Sequence, residues 1–271
     1  MILFKRVTES FRHIEDREWL LLALETLGVL AGILIAFELQ QWGQQRSDKA
    51  RHHQLMERLF EESERDVASL RGIRDVLRKT VAEETVFGVA LGKGQCPPES
   101  QWKAVDTIGM LPALTAPESV YQELMGAGGL SSIQRRDVRD AIALFHGKLE
   151  WSQQQVAYFR QVKEDPLSNR DPRQTITFDS TKEEPEVVTY DRQALCGDHA
   201  FKNAYAAALR QHVVFTSFHA ASVEDAINMC VRLGDNIGRS CIPAFGGPLI
   251  GEDDQFAAKT KAQMLADLAN S

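Results

Sequence analysis

Hydrophobic residues crowd the front of this chain and then thin into a repeating pattern. From Trp19 to Trp42 the run reads WLLLALETLGVLAGILIAFELQQW, and up to Phe37 its only ionisable residue is Glu25. About 24 residues at roughly 1.5 Å rise cover some 34 Å, enough to cross a hydrocarbon core. Trp19 and Trp42 fall where aromatic belts meet the two interfaces. A central glutamate costs roughly 2.5–3.5 kcal/mol, while the apolar residues between Leu20 and Phe37 return about 3–7 kcal/mol. The segment is expected to insert. A cleaved leader would need a small-x-small site beyond the core, and Phe37-Glu38-Leu39-Gln40-Gln41-Trp42 is a poor one. A buried core helix rarely runs this long without a polar face.

Beyond the anchor the pattern becomes amphipathic. Met56, Phe60, Val67, Leu70, Leu77 and Val81 recur at helical spacing among Glu, Arg and Asp. This predicts a helical stalk to about Leu91, stopped by Gly92-Lys93-Gly94, its charged faces read as solvated surface. A short helix is expected over Glu118–Met125, capped at Thr115 or Ala116 with Pro117 first. After Gly126-Ala127-Gly128-Gly129, a cap at Ser131 or Ser132 opens a longer one through Val138, Ile142, Phe145, Leu149, Val156 and Phe159. Thr175–Phe178 and Val187–Tyr190 are strand candidates between prolines, a short hairpin or a loose loop. Helix returns near Asp198 with Phe201, Tyr205, Leu209 and Val213, and ends at Gly238. A last helix is expected from about Ala257 to Leu268.

The fold class is therefore mostly α: a single N-terminal transmembrane helix and an extramembrane helical bundle with a short irregular or β-hairpin insertion. Five segments follow: an N-terminal cytoplasmic tail (1–18), the transmembrane helix (19–42), the stalk (43–95), a helical domain (96–242) and a C-terminal tail (243–271).

Charge changes the picture only by exclusion. There are 38 acidic and 31 basic residues, a net −7, with no basic tract for a phosphate backbone, so no nucleic-acid partner is expected. Cys96, Cys196, Cys230 and Cys241 form no C-x-x-C pair. Their even, wide spacing suits disulfides in an oxidising compartment, with three pairings open; the alternative is buried thiols. Cys196 and His199 offer two metal ligands without a second pair, so no metal is expected. Lys5, Arg6, Arg12 and Arg17 before the anchor balance Arg46, Lys49, Arg51 and Arg58 after it. The cysteines and the short leading tail place the N-terminus in the cytoplasm and the domain in the periplasm, across a bacterial inner membrane.

Glu25-x-x-Gly28-x-x-x-Gly32-Ile33-Leu34-Ile35-Ala36 with Gln41-Trp42, then Tyr121-Gln122-Glu123-Leu124-Met125-x-x-Gly128-Gly129-Leu130, resemble a bacterial family of single-pass membrane proteins, a domain of unknown function. The resemblance covers roughly residues 18–70 and 117–160. The chain departs from it at Leu24, where a glycine is usual, and at Gln40-Gln41, where asparagines are. It implies the topology and lends no activity.

Catalytic patterns are missing. No histidine has a glutamate three residues before it, and neither H-E-x-x-H nor G-x-S-x-G occurs. Gly88–Lys93 misses phosphate-loop spacing by one residue. No catalytic residue and no cofactor are expected. One constellation carries a mechanism: Glu25, Gly28, Gly32 and Ala36 step 3–4–4 along one helix face. Small residues let a second helix approach closely, and a glutamate there prefers a polar partner to lipid. The bland reading is that glycines are common in such helices and Glu25 reaches the interface. Besides the lipid bilayer, the expected partner is a second copy or another membrane protein. The leading expectation is a non-enzymatic scaffold or interaction module. The alternatives are a periplasmic sensor or ligand-binding domain acting through a partner, and an enzyme using His146, Glu150 and Trp151.

Overall fold

The computed structural model describes residues 16–181, 183 and 185–269, with side chains described from Leu24 to Asp267. Residues 1–15 of the expected tail and the side chain of Trp19 lie outside the described residues. Among the described residues there are seven α-helices and one two-stranded hairpin, so the chain is mostly α. Helix α1 spans Asp16–Gly92. Its end is set by Gly94 in the left-handed region (φ 73°), which lets the Gln95 amide reach back to Ala90 O at 2.9 Å.

The chain divides into two compact units, Met1–Leu55 and Met56–Ser271. In the first, α1 carries no charged residue from Thr26 to Phe37. Leu24, Leu27, Val29, Leu30, Ile33, Leu34, Ile35 and Phe37 are all more than half exposed. It is the one helix among the described residues long and apolar enough to cross a membrane.

In the second unit, α1 from Met56 onward is a core helix. Met56, Phe60, Val67, Leu70 and Leu77 are buried as the spacing predicts, and Val81 is half-buried. The charged faces depart from expectation: Glu62, Asp66, Arg71, Arg74 and Glu84 are buried too. The reason is that other elements cover α1 on several sides. They are α2 (Lys103–Thr107), α3 (Ser119–Gly126), α4 (Arg136–Gln161), α6 (His199–Ile237) and α7 (Glu252–Ala269), with the short α5 (Arg192–Gly197) leading into α6. Helix α4 packs along α6, and α7 packs on α6 from the other end of the chain.

Two local expectations shift. Ser131 and Ser132 do not cap α4; their hydroxyls donate to Gly128 O and Gly129 O at 2.8 Å, closing a 3₁₀ turn at Gly129–Ser132. Along α6 the inward stripe runs Phe201, Tyr205, Ala208, His212, Phe215, Thr216 and His219, leaving Val213 44% exposed. Steps of four residues overshoot a turn by about 40°, so a stripe extended in fours drifts off the buried face. Asp198 caps α6 by accepting from the Ala200 amide, and Gly238 ends it at φ 74°.

Strands β1 (Gln174–Phe178) and β2 (Glu186–Tyr190) pair antiparallel, Gln174 opposite Tyr190 and Phe178 opposite Glu186. The hairpin meets the domain through Tyr190, 5.2 Å from the Trp102 ring and hydrogen-bonded to Asp106. Behind it Phe87, Trp102, Phe201 and Tyr205 form an aromatic cluster. The C-terminal segment is fastened to α1. Arg71 donates to the carbonyls of Gly246, Gly247 and Pro248, and Arg74 meets Asp253 through two bonds of 2.5 and 2.9 Å.

Candidate functional sites

Three places in the molecule hold the residues with chemistry to offer. The first is the anchor face. Glu25, Gly28, Gly32 and Ala36 are exposed, and a Cβ added at Gly28 or Gly32 meets nothing within 4 Å. The backbone is therefore open to close approach along that stripe. Trp42 is exposed, with the Arg46 guanidinium 5.7 Å from its ring centroid. A cation beside an indole suits the boundary between lipid and headgroups.

The second is a buried polar centre where α6 crosses α1. Glu84 is fully buried; its Oε1 accepts from the Thr107 hydroxyl at 2.9 Å, and its Oε2 lies 2.7 Å from His212 Nδ1. The Tyr205 hydroxyl donates to the Glu84 backbone carbonyl at 3.1 Å. Further along the same face of α6, Thr216 Oγ1 and both ring nitrogens of His219 are buried with no hydrogen-bond partner, as is His212 Nε2. Burial pushes His219 down to about 4, with the neighbouring His212 adding to the effect. A histidine does not register in an apolar periodicity, so only its i, i+7 spacing from His212 could have signalled this centre.

The third lies between α1, α3 and α4. Glu62, 1% exposed, reaches from α1 to the start of α3. It accepts from Ser119 Oγ (3.0 Å) and from the amides of Val120 (2.9 Å) and Tyr121 (3.0 Å). The helix thus borrows its cap from another element, since Glu118 at its own N-cap position makes no side-chain bond there. One turn on along α1, Asp66 is 1% exposed, and neither carboxyl oxygen has a hydrogen-bond partner. Burial first, then Glu62 and Glu118, push Asp66 up to about 8 against the opposing pull of Arg65. His146 on α4 is 6% exposed, unpartnered at both nitrogens and stacked on the Tyr121 ring at 3.5 Å. Its Nδ1 stands 3.9 Å from Glu118 Oε1, and burial pushes it down to about 4.

Several expected residues do not meet. His146 is buried against Tyr121, whereas Glu150 is exposed and Trp151 is about half exposed against Phe218. The four cysteines form two disulfides, Cys96–Cys196 and Cys230–Cys241. Cys196 is thereby taken from any pairing with His199. No group of three His, Cys, Asp or Glu among the described residues is arranged to hold a metal ion. An open cleft of about 880 Å³ lies between the hairpin and α2. Among its charged groups, Asp106 is engaged with Tyr190 and Lys163 with Asp165.

Compared with protein-family models, with curated proteins and with solved structures, the chain matches none.

Proposed function

We propose that this chain is a non-enzymatic, membrane-anchored helical scaffold or interaction protein. It associates with itself or with a membrane partner through the Glu25, Gly28, Gly32 and Ala36 face. The observation that carries the reading is the open stripe itself: two glycines one turn apart in a largely apolar stretch of helix, with a carboxylate on the same side. In lipid, apolar side chains supply little drive between helices, so close packing at small residues and a polar contact must do it. The expected topology places the domain in the periplasm of a bacterial inner membrane, and two disulfides support an oxidising compartment. The resemblance to single-pass proteins of unknown function supports the same topology.

The test is the mass and composition of the complex extracted from native membranes in mild detergent, for the natural chain and for Gly32→Ile. A stoichiometric partner, or a multiple of 30.4 kDa, that is lost in Gly32→Ile is the expected result. An unchanged complex in that variant would end the proposal. The alternative, a periplasmic ligand-binding domain acting through a partner, has the hairpin cleft as its place. Because Asp106, Lys163 and Asp165 in the cleft are paired already, it is the weaker reading.

A further inference from the structure

Among the described residues, buried polar groups without hydrogen-bond partners lie on the His212–His219 face of α6 and at the junction of α1, α3 and α4, and the junction is where carboxyl groups gather. Around Asp66 the structure gathers carboxyl groups and supplies no cation of matching burial. Facing it are Glu62 and Arg65 from its own helix and Glu118 from the segment before α3. Glu62 in turn faces His146 of α4, and Glu150 of α4 faces Glu118. Arg65 spends its Nε on the Glu61 carbonyl. Charged residues of α6 that reach α4 are already paired, Asp225 with Lys148, Arg232 with Asp137 and Asp235 with Arg135.

The element these groups hold is slight. Helix α3 has eight residues and buries only Val120 and Leu124. The rest of its attachment is the Glu62 cap, the Tyr121–His146 stack and an exposed Arg58–Glu123 ion pair. Short elements with few buried apolar contacts open at low free energy.

We propose that this junction is a proton-operated latch, in which α3 stays docked while Asp66 carries a proton and is released when Asp66 ionises. Ionised Asp66 would stand beside Glu62 and Glu118 in a pocket with no buried cation. Three like charges, two of them away from water, are relieved most cheaply by moving the outermost. That is Glu118, the half-exposed residue at the head of α3. Its departure carries the first turn of α3 away from Glu62 and uncovers Val120 and Leu124. The acid side works differently. Burial disfavours a proton on His146, so acid lowers stability there instead of operating the latch. The latch therefore opens toward alkaline pH, and the position of Asp66 near 8 sets where.

Amide hydrogen exchange on the full-length chain in detergent micelles, between pH 6 and 9.5, tests this. Protection factors for Val120–Gly126, corrected for intrinsic exchange, should fall by up to about tenfold per pH unit as pH rises toward about 8, as loss of one proton on release requires, and level off above it. Those of α6 should hold. In Asp66→Asn the α3 amides should lose this dependence; should that variant fail to fold, Glu118→Gln should weaken it. An equal pH dependence in the natural chain and Asp66→Asn would overturn the latch. So would a fall shared with α6, which is global unfolding. Suppression of the dependence by millimolar Zn²⁺ or Ca²⁺ would also overturn it and make the pocket a metal site.

Discussion

Glu84 and Asp66 lie on the same helix, about five turns apart, and so on the same face of α1. Both are buried to 1% exposure or less. Their surroundings are opposite. Glu84 meets Thr107 and His212, whereas Asp66 meets no donor and two other carboxyl groups. Burial alone therefore does not define the role of a buried acid. A satisfied one tightens the element it joins, while an orphaned one stores an electrostatic cost that protonation or movement can relieve.

The largest expected effect breaks the Glu84 end through its covalent staple. Cys96–Cys196 closes a loop of 100 residues beside the aromatic cluster behind Glu84, while Cys230–Cys241 closes one of 11. Loop-closure entropy gives about 4.7 kcal/mol for the first and about 3 kcal/mol for the second. Urea unfolding of the paired Cys→Ala variants should rank them in that order. Next comes Glu84→Ala, which orphans His212 and Thr107 together and should cost about 3–5 kcal/mol. A cost below about 1 kcal/mol in chemical denaturation would mean that the two ends are equivalent after all.

Histidine sharpens the comparison from the acid side. His146 and His219 are held neutral in the fold, both pushed from 6.5 to about 4 by burial. The unfolded chain takes up protons below about 6.5 that the fold refuses, so stability should fall as pH drops from there through about 4 and stay flat above it. Each contributes about 3 kcal/mol to that loss, at 1.36 kcal/mol per unit. Thermal melts of His219→Phe should show a shallower acid limb. The effect at Asp66 is capped by the release of α3, which makes it the smallest, and its sign reverses. Its folded value lies above its unfolded one, so stability falls as pH rises from about 3.8 through about 8. Asp66→Asn should gain about 1–3 kcal/mol at pH 9 and little at pH 4. No gain at pH 9 would show that Asp66 is solvated in solution.

The helix long and apolar enough to cross a membrane needed no structure to be recognised. A run from Trp19 to Phe37 with one ionisable residue is a statement about solvent, and composition carries it wherever the rest of the chain goes. The ends of α1 and α6 were equally local, because Gly94 and Gly238 supply positive φ where each helix must stop. β-Branched residues between prolines marked the strand candidates, and the structure decided for a hairpin over a loose loop.

What composition left open was decided by packing. Residues Glu62, Asp66 and Glu84 read as a solvated face, since an amphipathic pattern says which side is apolar and not how many neighbours arrive. Cysteine pairing among three alternatives was settled by which chain segments meet, Cys196 near Cys96 and Cys241 near Cys230. The crossing of α6 over Phe60 was likewise invisible, though Gly234 marks it: a Cβ there would stand 2.6 Å from Arg239 O and 2.9 Å from the Phe60 ring. Sequence by itself determined the helices, their glycine stops and the apolar stretch, because those depend on neighbours along the chain. Only the tertiary structure decided which buried charges found partners, because hydrogen-bond donors from α2, α3 and α6 come from far along the chain and are specified by geometry rather than by pattern.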